Sequence, residues 1–285
     1  MRIVHIKQNG KAVLAARCGD ELIDINKVSS GLGTNLVDIL TGGKLAGLAD
    51  KVASAGADAV VSGSYTYLSP VEQPGKIICV GLNYADHAKE SPYDRPDYPV
   101  LFLRVATSLV PHGEPLIAPK CSEQFDYEGE MVAIIGKGGR HIARDKALEH
   151  VAGYSVFNEG SVRDYQFKSP QWTSGKNFDG SGGFGPDFVT ADELPPGGKG
   201  LKIVTRLNGE TVQEANTDDM LFPVDEIIAV ASEVMTLEAG DVLVLGTPAG
   251  VGAFRKPPLW MKDGDVCEVE VEKICCLSNP VKAEA

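Results

Sequence analysis

The chain has 285 residues, enough for one large domain or a large domain with a small one attached, and its 43 % apolar residues can build a real core. With 39 acidic against 27 basic residues the net charge is −12, which excludes a non-specific nucleic-acid binder, because such a protein needs a basic face to neutralise phosphates. No run approaches the ~18 apolar residues of a membrane span, so neither nucleic acid nor membrane is expected as a partner.

The first residues, "MRIVHIKQNGKAVLAARCGDELIDI", alternate like short strands, with turns at Asn9-Gly10 and Gly19-Asp20. They lack the apolar centre of a signal peptide, and a soluble cytoplasmic protein is expected. From Asn35, "NLVDILTGGKLAGLADKVASAGADAVV" reads as two short helical stretches parted by Gly42-Gly43. The Pro- and Gly-rich "SPVEQPGK" at 69–76 predicts a boundary, giving a small N-terminal α+β unit (1–70) and a main domain (71–285). Cys18, Cys79, Cys121, Cys267, Cys275 and Cys276 are scattered, with no C-x-x-C pair. They are expected to be reduced thiols in the core.

From Lys76 onward, strand-like runs dominate: "KIICVGL", "YPVLFLR", "EMVAIIGK", "HVAGYSVFNE", "LKIVTRLNGETV", "DVLVLGTP" and "DVCEVEVEKI". Only "RDKALEHV" and "PVDEIIAVASEVMTL" look clearly helical, the second starting after Pro223. The fold class predicted is mainly β with some α (α+β), with a rolled or barrel-like mixed sheet.

Chemistry-bearing residues follow in the same order. "NYADHAKES" places His87 and Glu90 three apart, neighbours on a helical turn, where a carboxylate orients an imidazole as a general base. Such pairs are also common on plain helix surfaces. The following "SPYDRPDYP" has the composition of a mobile lid. In "FDYEGEMVAIIGKGG" (125–139), Glu128 and Glu130 share one face of a strand and precede apolar residues. A solvated strand end is the plainer reading of that pair alone; otherwise a cation must hold the two carboxylates together. The strand in "GYSVFNEGSVRDYQ" (153–166) ends in Glu159, and three converging carboxylates suit a hard divalent ion, Mg²⁺, Mn²⁺ or Ca²⁺, better than zinc. Arg163, and Lys176 in "SGKNFD", are cations near that group in sequence, able to hold a substrate carboxylate.

"GSGGFGP" (180–186) contains the G-x-G-x-x-G spacing of a dinucleotide site. Polar, turn-like residues precede it, however, and Pro186 stands where the phosphate-binding helix should start. A dinucleotide site is excluded, and the glycines are expected to let the chain pass close to a packed surface or a ligand.

Taken together, "KIICVGLNYADHAKE", "DYEGEMVAIIGK", "GYSVFNEGSVRDYQ", "WTSGKNFD", "NGETVQEANTDDMLFPVDEII" and "LEAGDVLVLGTPAGVG" resemble, in order, the blocks of the fumarylacetoacetate hydrolase family, from about Lys76 to Pro280. The resemblance implies a mixed β-roll domain, a homodimer, and action on a small 2-oxo carboxylate with Mg²⁺ or Mn²⁺. It implies that Glu128 and Glu130 are paired metal ligands, with Glu159 where the third is normally aspartate. His87 and Glu90 match the water-activating dyad, Lys176, Arg163 and Gln166 match side chains lining the substrate, and Thr247 matches a residue meeting its carboxylate. Two departures stand out: the longer Glu159, and "FLRVATS" in place of Phe-Leu-Lys-Pro, which puts a planar Arg104 fork where lysine is usual and suits a second substrate carboxylate or a different substrate length.

The activity expected from this is metal-dependent hydrolysis of a C–C bond in an acylpyruvate-like 2,4-dioxo acid. In that scheme His87 and Glu90 activate water, and Lys176 and Gln166 hold the oxyanion. Oxaloacetate-type decarboxylation, isomerisation of an unsaturated 2-oxo dioate, and hydrolysis or dehydration of a 2-oxo sugar acid are the alternatives within one fold. A non-catalytic metal-binding scaffold is the alternative of another class.

Overall fold

A computed structural model describes residues 1–285. Two mixed sheets dominate it. The larger runs in the order Glu21–Asp24, Lys11–Cys18, Arg2–Gln8, Asp187–Thr190, Val151–Glu159, Gly129–Ile135, Val242–Val244, Ile77–Gly81, Val100–Arg104. Its pairings are antiparallel except where Val242–Val244 runs parallel to Ile77–Gly81, and a side branch where Gly182–Phe184 runs parallel to Leu109–Pro111. The smaller sheet contains the hairpin Lys202–Leu207 and Glu210–Asn216, then Val266–Val271, Cys275–Ala283 and Leu116–Ala118. Both sheets have free edges, so the rolled arrangement predicted from the strand-rich sequence closes no barrel.

Gly129–Ile135 is the keystone strand, with every residue buried. Its nearly continuous apolar run is what a strand covered on both faces requires. Met131, Ala133 and Ile135 pack with Ile203, Val269 and Leu277 of the smaller sheet and with Ile227 and Ile228 of the helix Val224–Val234. Val132 and Ile134 face the other way, onto Ile3, Leu14, Ile25, Leu36 and Ile39 near the N-terminus. That helix starts on Pro223 as expected, with Asp225 and Glu226 placed to complement its dipole. The "RDKALEH" stretch is a 3₁₀ helix, Arg144–His150.

Residues 2–24 extend the larger sheet. Arg2–Gln8 pairs antiparallel with Asp187–Thr190, and Arg17 grips Asp187 with two hydrogen bonds of 2.8 and 3.0 Å. The two helical stretches around Gly42-Gly43 are Leu36–Thr41 and Leu48–Ala53. All six cysteines are free, but only Cys79 and Cys267 are buried; Cys18, Cys121 and Cys276 are exposed rather than in the core. No helix is long and apolar enough to cross a membrane.

Candidate active site

Several strands of the larger sheet end at the same place. Glu128 and Glu130 stand at the start of Gly129–Ile135, and Glu159 ends its antiparallel neighbour, with Gly129 opposite Asn158. Gly246 and Thr247 follow Val242–Val244, and Leu82 follows Ile77–Gly81. The geometry of antiparallel and parallel pairing therefore gathers residues 80, 130, 160 and 246 of the sequence at one rim. Gly246 has φ +94°, and a Cβ there would lie 2.6 Å from that of Asn83 and 2.9 Å from the Val80 carbonyl. Only glycine brings its N–H onto Glu130 Oε2, to which it donates.

Oxygens of Glu128, Glu130 and Glu159 lie within 4.8 Å of one another, and all three residues are buried. The reading of Glu128 and Glu130 as a solvated strand end therefore does not hold. Lys176 donates to Glu128 Oε2 at 2.6 Å and to Glu159 Oε2 at 2.9 Å. Arg163 contacts Glu128 Oε1 at 2.6 Å through Nη2 and donates to Asp126 Oδ2 at 2.8 Å and to Gln166 Oε1 at 2.9 Å. Four buried carboxylates, Asp126, Glu128, Glu130 and Glu159, thus face three buried cations, Arg104, Arg163 and Lys176.

This imbalance is distributed unevenly. Burial alone would raise Glu128, but Lys176 and Arg163 outweigh it and hold its carboxyl well below the usual range. Glu130 is pushed well above that range, by burial first and then by the charges of Glu159 and Glu128. Lys176 is raised: burial opposes its charge, and Glu128 and Glu159 more than compensate. Glu159 Oε1 is buried with no hydrogen-bond partner. A surplus carboxylate, an orphaned acceptor and an all-oxygen donor set are what a hard divalent cation fits.

His87 sits on the short helix Ala85–Glu90, its Nδ1 2.8 Å from Glu90 Oε1. Glu90 is fixed in turn by the Gly250 N–H, 3.1 and 3.0 Å from its two oxygens. His87, Glu128, Glu130, Glu159, Arg163, Gln166, Lys176 and Thr247 all line one cavity of about 30 Å³, room for about two water molecules. Glu90 stands behind His87. Thr247 donates to the Gly129 carbonyl at 3.0 Å and accepts from Gln213 at 2.8 Å.

Arg104 does not join them. It lies outside the cavity lining, behind Glu159, with its guanidinium wholly buried. That placement opposes the expectation that its fork meets a substrate carboxylate.

Sequence reasoning missed two groups. Asp126 anchors Arg163 and accepts from the Gly252 and Ala253 N–H groups at 2.7 and 2.9 Å. The mouth is aromatic, with Tyr93, Phe102, Phe167, Trp172 and Phe254. Trp172 is 5.4 Å from Phe102 and 5.6 Å from Tyr93, ring to ring. The "GSGGFGP" run enters a strand, Gly182–Phe184, and then another, Asp187–Thr190, so no helix N-terminus offers phosphate binding.

Residues 76–282 match the model of the fumarylacetoacetate hydrolase C-terminal domain. A mitochondrial oxaloacetate tautomerase of Xenopus laevis is 39 % identical, aligned over 99 % of this chain and 90 % of its own. The solved fumarylacetoacetate hydrolase of Exiguobacterium antarcticum superimposes with a TM-score of 0.87 at 37 % identity, over the whole of both chains. A maleylpyruvate hydrolase of Sphingobium sp. SYK-6, solved with manganese(II) and pyruvate, gives a TM-score of 0.80 at 26 % identity, again over both whole chains.

Proposed function

The chain belongs to the fumarylacetoacetate hydrolase family, and on that premise we propose that it is a divalent-metal-dependent tautomerase of oxaloacetate or a similar small 2-oxo dicarboxylate. The observation that carries this is one cavity joining three buried carboxylates to a His–Glu dyad. Relatives named as oxaloacetate tautomerases, aligned over nearly the whole chain, support the choice of reaction.

Glu128, Glu130 and Glu159 would hold the ion, Mg²⁺ or Mn²⁺. When bound, it supplies a Lewis acid for the oxygens of the 2-oxo acid and lowers the cost of enolate character. Keto–enol exchange then needs one proton moved between the C2 oxygen and C3, with no net gain or loss. Glu90 occupies Nδ1 of His87, which leaves Nε2 to take and return that proton. Lys176, held protonated by Glu128 and Glu159, offers the only ammonium of the cavity to a developing negative oxygen. Thr247 and Gln166 border the space left for a carboxylate. In so small a cavity, entry requires the wall to open, and the lid expected in "SPYDRPDYP" follows the His87 helix directly and brings Tyr93 to the cavity.

Hydrolysis of an acylpyruvate-like 2,4-dioxo acid is the second reading, because the same dyad could activate water in place of the substrate proton. Loss of ultraviolet enol absorbance, followed with Mg²⁺, with Mn²⁺ and with EDTA, separates them. Metal-dependent decay of oxaloacetate enol without pyruvate supports tautomerisation. Release of pyruvate plus a carboxylic acid from acylpyruvates moves the assignment to hydrolysis, and pyruvate plus carbon dioxide from oxaloacetate moves it to decarboxylation.

A further inference from the structure

On the reading that the three glutamates hold a divalent ion, Glu159 is placed between two cations. Lys176 meets its Oε2 from the cavity side, and Arg104 Nη1 lies 3.7 Å from its Oε1 on the other. Glu159 is the only carboxylate within ion-pair distance of Arg104, whose charge is fully buried and needs a counter-charge. The rest of the guanidinium is clamped. Nε donates to Ser108 Oγ at 3.2 Å, Nη1 to the Gly160 carbonyl at 3.2 Å, and Nη2 to Ser181 Oγ at 2.7 Å. Gly182 pairs directly with Glu159 across the sheet, and a Cβ on it would lie 2.8 Å from Arg104 Nη2. The glycine run therefore makes room for this arginine.

We propose that Arg104 is a positioning residue, which fixes where the Glu159 carboxylate presents its oxygens to the divalent ion. A glutamate has one more torsion to immobilise than an aspartate, and the clamped fork behind it removes that freedom. Arg104 reaches neither the cavity nor a substrate, so its effect passes through Glu159. A positive charge near a cation site weakens cation binding by Coulomb repulsion alone. A substitution that keeps the charge but removes the fork therefore separates the two, since bare charge predicts unchanged affinity and positioning predicts a loss.

The test is Mn²⁺ titration calorimetry on EDTA-stripped full-length protein. Arg104→Lys keeps the charge and removes the fork; Mn²⁺ affinity should fall about tenfold, as for other groups that orient metal ligands. Metal-free thermal unfolding should stay within a few degrees. Ser181→Ala, which removes one clamp from Arg104, should weaken Mn²⁺ in the same direction and by less than Arg104→Lys does. In a Glu159→Asp background, Arg104→Lys should cost less than twofold, because the shorter carboxylate no longer leans on the fork. Unchanged or tighter binding by Arg104→Lys overturns the proposal, as does the same tenfold loss in both backgrounds. Should Arg104→Lys fail to fold, unchanged affinity in Ser181→Ala overturns it. Wild-type protein that binds no Mn²⁺ removes the metal reading itself, and this inference with it.

Discussion

The floor and the mouth of the cavity are built on different principles. The floor consists of carboxylates at the ends of buried strands and cations on the short helices Arg163–Gln166 and Thr173–Lys176, tied together by hydrogen bonds and ion pairs, as Lys176 is to Glu128 and Glu159. The mouth consists of aromatic rings, Phe102 on the edge strand Val100–Arg104 and the others on loops and short helix ends, related by tilted contacts such as Tyr93–Trp172 and by few hydrogen bonds. A network of buried charges tolerates little displacement, because any unpaired member is costly, whereas rings can slide at small cost. The floor is thus suited to hold reacting atoms, and the mouth to decide which molecules reach them.

If the floor carries the chemistry, its removal should be the largest effect. Glu128→Gln should cut metal-dependent kcat/KM at least about a thousandfold, near 4 kcal/mol of transition-state stabilisation. Calorimetry should show Mn²⁺ binding lost with it. A rate within tenfold of wild type would remove the site from the floor. His87→Ala should come next, about a hundred- to thousandfold in kcat, with Mn²⁺ affinity retained, since His87 moves protons and is no ligand. Full oxaloacetate tautomerisation in that variant would transfer the proton step to another group.

Glu130 gives a smaller effect, read through pH. Burial and its two acidic neighbours raise its folded pKa, so the neutral form is favoured. Glu130's own contribution to the stability of the metal-free protein is then fully present below the ordinary glutamate value and declines as pH rises through the raised one, because the folded state gives up a proton that an unfolded glutamate has already lost. Glu128, held low, contributes in the opposite sense and loses its share in acid. A divalent ion displaces the same proton, so Mn²⁺ affinity should climb by up to about tenfold per pH unit below the Glu130 value. Titrations in buffers of different ionisation enthalpy should register the released proton. An Mn²⁺ affinity that does not change with pH, with no proton released on binding, would show that Glu130 is already ionised in the metal-free protein.

The same contrast explains what could be read in the sequence. Glu128, Glu130 and Glu159 stood out because apolar strands ending in carboxylates are anomalous, and spacing alone put Glu128 and Glu130 on one face, but a solvated strand end was the plainer reading of that pair and the family resemblance carried their ligand role. His87 and Glu90 were legible as a helical pair. Arg104 was misjudged, because nothing in "FLRVATS" tells whether a side chain enters the cavity or passes behind it. Its direction is set by Ser108, Gly160 and Ser181, two of them far along the chain. Here the two departures from the family pattern, Glu159 and Arg104, prove to be spatial neighbours. Asp126 was passed over as the first of three acids in "FDYEGE", its tie to Arg163 spanning 37 residues. The aromatic mouth carried no periodic signal at all, since its rings are scattered from Tyr93 to Phe254.

The mouth should yield the mildest change and the most specific one. Trp172 is on the cavity lining, and its ring contacts Phe102 and Tyr93 and hydrogen-bonds no charged side chain. Trp172→Ala leaves the floor intact, so Mn²⁺ affinity should remain that of the wild type. With the indole gone, longer 2-oxo acids gain room where the cavity now holds about 30 Å³. Removing apolar wall shifts discrimination by roughly 1–2 kcal/mol, so the kcat/KM ratio of a six-carbon 2-oxo dioate over oxaloacetate should rise about tenfold. A fall in kcat for both substrates with an unchanged ratio would mean that Trp172 orders the catalytic groups, and the line between floor and mouth would then lie deeper than the rings.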